Sequence, residues 1–140
     1  MLYAVKDGDA RVIALHKRHY SRREYKDGRD HKRIVGPGAR MVLLSQDCRE
    51  LFIWRKFIDA SGQQGLNCSI FRNEGNRLSS EVILEAEELA RQRWPTERFY
   101  TYVNSKRIKS SNAGCCFKKA GWKVCGTTKG GLVILEKSVT

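Results

Sequence analysis

The chain has 140 residues and a formal net charge of +12, from 27 Lys and Arg against 15 Asp and Glu. This length predicts one domain with a substantial core, and 41% hydrophobic residues with two prolines exclude a disordered chain. No apolar run reaches the length of a membrane-spanning helix. Five unevenly spaced cysteines, two of them adjacent, favour a reducing cytoplasm over a disulfide-bonded secreted protein.

The first half of the chain predicts strands with one helix among them. A helix is expected from Ala10 to about His19, and the polar, basic segment 20–37 predicts a loop or flexible arm. Alternating or continuous apolar residues predict strands over 2–6, 40–45, 51–57 and 66–71, the middle two forming a hairpin.

The second half predicts two helices and three strands. The surest element is a helix from Ser79 to Trp94, because its apolar residues recur at helical spacing and Pro95 ends it. A shorter helix is expected over 112–120, with Gly121 as its C-terminal cap. The remaining segments predict strands over 98–103, 122–127 and 132–137, the last two forming a closing hairpin. The order β-α-β-β-β-α-β-α-β-β therefore predicts an α/β (α+β) domain with a mixed, mostly antiparallel sheet of about seven strands flanked by helices.

The loop before the long helix predicts an anion site. A helix start exposes backbone N–H groups that the helix itself cannot satisfy, and the helix dipole favours negative charge there. Arg72 and Arg77 lie in this loop as candidate phosphate clamps, with ordinary surface charge as the alternative. Ser79 and Ser80 are expected to cap the helix. A phosphate or pyrophosphate is the expected ligand.

The basic residues are concentrated in two segments. Positions 11–40 contain ten Lys or Arg and three acidic residues. Positions 98–135 contain eight basic residues and no acidic residue. Two such segments on one face would attract nucleic acid, and a generally basic surface is the alternative. The candidate nucleic-acid-binding residues are Arg18, Arg22, Arg23, Lys26, Arg33, Lys106, Arg107 and Lys109.

The element order and the C-terminal part resemble the GNAT acyltransferase superfamily. Ser110, Ala113, Cys116, Phe117, Lys119, Gly121 and Trp122 follow the spacing of its helix pattern N-x-x-A-x-x-L-Y-x-K-x-G-F. The resemblance implies acetyl-CoA or a related acyl donor, bound between the fourth and fifth strands. It also places Phe117 where the family often has a general-acid tyrosine. The implied cofactor-binding residues are Phe71, Arg72, Asn73, Gly75, Arg77, Ser79, Ser80, Ser110, Ser111 and Asn112.

The N-terminal half has a second, shorter resemblance. The segment from Asp9 through His19-Tyr20-Ser21-Arg22 is similar to the "HYSR" segment of the bacteriophage Mom family. The loop 76–81 is similar to that family's serine-bearing loop. Mom proteins are GNAT-like enzymes that modify adenine in DNA and protect phage genomes from restriction. The resemblance implies such a transferase, with DNA as its partner.

Five residues are candidates for catalysis. His19 is a possible base, with a solvated basic loop as the alternative, and Tyr20 a possible stacking partner for a flipped base. Ser21 adjoins them. Tyr102 lies on the predicted fifth strand, where packing in the core is the stronger alternative, and Asn104 follows at its end.

Two other functions stay open at this point. The chain could be an acetyl-CoA-dependent N-acetyltransferase of a small amine or protein lysine. It could also be a catalytically silent GNAT fold that binds nucleic acid or inhibits a host protein. No metal site is expected, because the cysteines form no C-x-x-C pair and adjacent cysteines on a helix point apart.

Overall fold

A computed structural model describes residues 1–6, 9–16, 38–56, 62–104 and 115–138. All ten predicted elements are confirmed within these ranges, with boundaries shifted by a few residues. The strands are β1 Leu2–Val5, β2 Ala39–Ser45, β3 Glu50–Lys56, β4 Leu66–Asn73, β5 Phe99–Val103, β6 Lys123–Thr127 and β7 Val133–Lys137. The helices are α1 Ala10–His16, α2 Ser79–Arg93 and α3 Cys115–Lys119. No helix in these ranges has both the length and the apolar character needed to cross a membrane.

The seven strands form one mixed sheet, which confirms the predicted fold class at this level. Their order is β1-β2-β3-β4-β5-β7-β6, and every neighbouring pair is antiparallel except β4 with β5. A parallel pair requires a crossover connection, and α2 supplies it. Since α2 returns the chain across the sheet, its N-terminus lies at the edge where β4 ends.

The two faces of the sheet have different cores. The face under α2 and α3 carries the larger cluster, in which Phe52, Trp54, Phe99 and Trp122 are buried and their rings are in contact. The opposite face carries a smaller apolar cluster, whose buried members within the described residues lie on α1 and strands β2 to β4: Val12, Leu15, Val42, Leu44, Leu51, Ile53 and Ile70. Beyond β4 the same face carries the buried Tyr100 of β5 and Ile134 of β7.

A buried carboxylate joins α2 to the C-terminal hairpin. Glu87 is fully buried and accepts hydrogen bonds from the Trp122 indole N–H (3.0 Å) and from Arg91 (3.2 Å), and it forms an ion pair with Lys137 (2.7 Å). Lys137 also donates to the Ala120 carbonyl. A buried charge is tolerated when it is paired in this way, so the network fixes how α2 and α3 sit on the sheet.

The short helix α3 ends in the predicted glycine cap. Gly121 has φ of 98°, and its N–H bonds the Lys118 carbonyl while the Trp122 N–H bonds the Phe117 carbonyl. These two hydrogen bonds satisfy the last carbonyls of the helix, and they require the left-handed conformation that glycine adopts without strain.

The approach of β4 to β5 depends on a glycine. Gly65 has φ of +126°, and a Cβ there would lie 2.4 Å from the Arg98 carbonyl oxygen, which accepts a hydrogen bond from the Leu66 N–H at 2.7 Å. A side chain at position 65 would therefore push apart the segments that begin the only parallel pairing of this sheet.

We expect Gly65→Ala to lower the free energy of unfolding by about 1–3 kcal/mol more than Gly62→Ala, because only the first adds a steric clash to the cost of a positive φ. Gly62 is the matched control, since its φ is +85° but no atom lies within 4 Å of its added Cβ. Urea unfolding of both variants measures the difference. Equal losses would contradict the close approach at Gly65.

Candidate functional site

The candidate site begins where β4 and β5 separate. The two strands pair only through Leu66–Phe99, Asn67–Tyr100 and Cys68–Thr101, although both continue beyond this point. The last link is a hydrogen bond from the Thr101 hydroxyl to the Cys68 carbonyl, at 3.0 Å. Beyond it the strands form a fork that opens toward the edge at which α2 starts.

A β-bulge lies at the base of this fork. Trp54 pairs with Cys68 and Ile53 pairs with Ile70, so Ser69 is the extra residue that faces no partner on β3. Bulges bend a strand and re-aim its side chains, and here the bend coincides with the end of the β5 pairing. Burial raises the pKa of the Cys68 thiol well above its usual range, so this cysteine stays protonated and is a packing residue rather than a nucleophile.

The loop after β4 is held by one asparagine side chain. The Asn73 amide donates to the Arg77 carbonyl (2.9 Å) and the Ser79 hydroxyl (3.2 Å), and its oxygen accepts from the Gly75 N–H (2.9 Å). Asn73 and Gly75, both predicted to bind the cofactor, thus shape the loop itself. A Cβ at Gly75 would meet the Glu50 carboxylate at 3.1 Å, so this position also favours glycine.

The start of α2 leaves several donors available. The N-cap is Leu78, and no side chain bonds to the helix start, so the expected capping by Ser79 and Ser80 is wrong. Ser79 instead points its hydroxyl toward Asn73. Within the described ranges no acceptor bonds the backbone N–H groups of residues 76–80. Consecutive free N–H groups at a helix start bind anions.

The two arginines of the loop already have acidic partners. Arg77 binds Glu50 through two of its nitrogens (2.6 and 3.1 Å) and Glu85 through a third (2.6 Å). The hydrogen bond to Glu50 raises the pKa of Arg77 further above its usual range. Arg72 pairs with Glu74 at 2.8 Å. A phosphate would have to compete with these carboxylates, so the backbone N–H groups are the better anion donors.

Glu85 connects this ion pair to the first strand. Its second oxygen accepts the Leu2 N–H at 2.6 Å. Partial burial by itself would raise the pKa of Glu85, but the Leu2 N–H and the Arg77 guanidinium outweigh it, so the pKa is lowered. Arg77 therefore ties together the loop, β3, α2 and β1.

Aromatic residues line the fork on both faces. Phe71 contacts Phe52 and Phe117 on the face of α2 and α3, with ring centroids 5.2 and 5.9 Å apart. Phe117 is buried there against Trp122. Tyr102 lies on the opposite face, half-buried and in edge contact with Tyr100 at 5.8 Å, and Asn104 follows at the end of β5.

The structure thus brings together the described part of the predicted cofactor site at the fork and the α2 start. The other predicted site residues lie outside the described residues: His19, Tyr20, Ser21, Ser110, Ser111, Asn112 and the basic residues Arg18, Arg22, Arg23, Lys26, Arg33, Lys106, Arg107 and Lys109.

Two polar residues at the fork were missed from the sequence. The Asn67 Oδ1 and Ser69 Oγ atoms are buried without a hydrogen-bond partner. The signal was present, because two polar residues two positions apart interrupt an otherwise apolar strand. It could not be interpreted without knowing which face of β4 is covered by apolar residues.

A second concave surface lies at the other end of α2. It is a groove of about 600 Å³ that adjoins a smaller one of about 430 Å³. Its floor is apolar, and among the described residues that line the two cavities the cations are Lys6, Arg40 and Arg93 and there is no carboxylate. Arg93 donates to the Arg40 carbonyl and lies over the Trp94 ring at 4.3 Å. We call this surface the basic groove.

Comparisons of the chain with protein-family models, with curated proteins and with solved structures gave no match. Nor do the described ranges hold a group of three or more His, Cys, Asp or Glu side chains arranged for a metal ion. The fork, the α2 start and the basic groove are therefore the features of this chain that bear on its function.

We expect Arg77→Met to lower the free energy of unfolding by about 3 kcal/mol, because it leaves the Glu50 carboxylate, only 5% exposed, without its partner. Arg72→Met removes a more exposed pair and should cost no more than about 1 kcal/mol. Urea unfolding gives both values.

The double variant Arg77→Met, Glu50→Gln tests the cause. It should recover part of the loss, since the uncompensated charge is then gone. If Arg77→Met unfolds at the same urea concentration as Arg72→Met, the ion pair is not structural and Arg77 returns to consideration as a phosphate clamp.

Proposed function

We propose that the protein is a GNAT-like transferase that modifies an amino group of a nucleic-acid base, most simply adenine in DNA. The observation that carries the proposal is the fork between the only parallel strand pair of the sheet, together with the unbonded N–H groups of residues 76–80 at its mouth. The resemblance to GNAT enzymes implies a coenzyme bound between these two strands.

The described residues fit such a coenzyme. The bonds of Asn73 hold residues 76–80 at the start of α2, where their N–H groups suit a pyrophosphate. Phe71 and the separated strand ends offer apolar and backbone contacts for the extended arm between phosphate and acyl group. When bound, the donor would supply an acyl group on sulfur, so that transfer would form a nitrogen–carbon bond and break the carbon–sulfur bond, and the coenzyme would leave as a thiol that carries the proton lost by the amine.

The protein's own contribution is mainly positioning. An amine held in line with an activated acyl group needs orientation more than acid catalysis, so Phe117 in place of a tyrosine does not argue against transfer. His19 stays the predicted base for the released proton, with Tyr20 and Ser21 beside it.

The basic groove supports nucleic acid as the partner. Its described lining carries Lys6, Arg40 and Arg93, and the net charge of the chain is +12. Phosphate contacts of this kind position a nucleic acid without reading its sequence. A transferase of small amines or of protein lysine shares the fork, but the basic groove favours a polyanionic substrate.

Nucleosides from cells that express the protein should contain a base with an added acyl-derived mass, detectable by mass spectrometry. Ser80→Glu should abolish the adduct while leaving the fold at least as stable, because a carboxylate in the first turn favours the helix but repels an anionic coenzyme. Ser80→Ala, which removes only the hydroxyl, is the matched control and should retain the adduct.

Calorimetry on the purified proteins should show that wild type and Ser80→Ala bind coenzyme A and that Ser80→Glu does not. An unmodified nucleoside pool in the presence of wild-type protein would overturn the proposed modification. Transfer to polyamines or peptides that DNA does not affect would select the small-amine or lysine acetyltransferase instead, and salt-dependent DNA binding without coenzyme affinity would select a silent binding protein.

Lys6→Gln and Arg93→Gln should each weaken DNA binding and reduce the slope of log K against log salt by about 1, as expected when one phosphate contact is lost. Lys123→Gln, an exposed position on the opposite edge strand, makes the same change in charge and should leave the slope unaltered. Fluorescence anisotropy over a salt series gives the slopes. Equal effects at all three positions would mean that the attraction is diffuse and not located in the groove.

A further inference from the structure

Two buried polar atoms of β4 have no partner. Asn67 is only 9% exposed, its Oδ1 is fully buried, and the Oγ of Ser69 is buried as well; neither atom has a hydrogen bond. Buried polar atoms in folded proteins are nearly always satisfied, because each one left unpaired opposes folding. A bound molecule that donates a hydrogen bond would explain why the protein keeps a buried acceptor without a partner.

Both side chains belong to the fork. Leu66 and Cys68 pack in the cluster under α2, so strand alternation places Asn67 on the opposite face. Ser69 is the bulged residue at which the pairing with β5 ends. Asn67 therefore lies at the base of the fork on the face away from α2, and Ser69 occupies the bulge two residues further along the strand.

The same face changes character at this point. The described buried members of its apolar cluster lie on α1 and β2 to β4 and include Ile70. Next to them come Asn67, its fully buried register partner Tyr100, and the half-buried Tyr102, which contacts Tyr100 edge-on and pairs with the buried Ile134 of β7. Polar groups beside aromatic rings are a common composition of ligand sites.

The chemistry of the two atoms limits what can bind. An amide oxygen only accepts hydrogen bonds, and a hydroxyl oxygen accepts as well as donates. The missing partner must therefore carry N–H or O–H groups, and an amino group carries two N–H donors. The half-buried Tyr102 offers an aromatic contact to a planar ring, and an asparagine amide is the usual partner of the adenine amino edge.

We propose that Asn67 and Ser69 bind the amino group of the acceptor, with a nucleobase amine as the favoured source and an aliphatic amine sharing the same chemistry. The inference rests on the proposed function and assigns its acceptor side to these two residues. Asn67 is then a residue that binds the substrate and does not stabilise the fold.

The test compares Asn67→Leu with Asn73→Leu, two substitutions of similar shape on the same strand. The Asn67 amide oxygen has no partner to lose, so Asn67→Leu should unfold at the same urea concentration as wild type or a higher one. Asn73→Leu removes three hydrogen bonds and should unfold at a lower concentration. For transfer to an adenine-containing oligonucleotide, Asn67→Leu should lower kcat/KM about 10-fold or more, and Ser69→Ala less.

Ligand-induced shifts in Tm separate this inference from the proposed function, because they require no transfer. Adenosine should raise the Tm of wild type but not of Asn67→Leu; a shift seen with butylamine instead would assign the aliphatic source. If the protein transfers nothing and such an Asn67-dependent shift persists, the proposed function fails and the amine site stands. The inference would be overturned if no ligand shifted the Tm, or if the shift were the same in wild type and Asn67→Leu. It would also be overturned if Asn67→Leu kept the wild-type kcat/KM, or if it unfolded at as low a urea concentration as Asn73→Leu.

Discussion

The single parallel pairing of β4 with β5 constrains the rest of the structure. Parallel neighbours cannot be joined by a hairpin, so the chain must leave β4 at one edge of the sheet and return along α2. The C-terminal ends of β4 and β5 and the first turn of α2 consequently lie at one edge. The fork and the unbonded N–H groups meet there because the topology requires it.

Three features of the chain maintain this arrangement. Gly65 allows the Arg98 carbonyl to approach closely enough to start the pairing, and the bulge at Ser69 ends it three residue pairs later. The Arg77 ion pairs then anchor the loop to β3 and α2, so that loop shape does not depend on a bound anion. The coenzyme of the proposed function would therefore meet a preformed loop, which lowers the entropy lost on binding.

Local patterns in the sequence were enough to predict the ten elements. The helical spacing of α2, the glycine after α3 and the alternation of the strands are all short-range signals, and they indicated a mixed, mostly antiparallel sheet. The roles of Arg77 and Asn67 could not be predicted in this way. Arg77 meets Glu50 from 27 positions away, and the unpartnered state of the Asn67 oxygen depends on which residues of other elements pack on its face of the sheet. The capping by serines was wrong because the hydroxyl of Ser79 has a nearer partner in Asn73.

The length of α2 sets a scale for the substrate. Its 15 residues span about 22 Å, with the fork at one end and the basic groove at the other. Along a duplex this distance corresponds to about six base pairs. If the protein modifies nucleic acid as proposed, a substrate that engages both ends must reach at least half a helical turn past the modified base, and isolated nucleotides or very short oligomers would occupy the fork without contacting the basic groove.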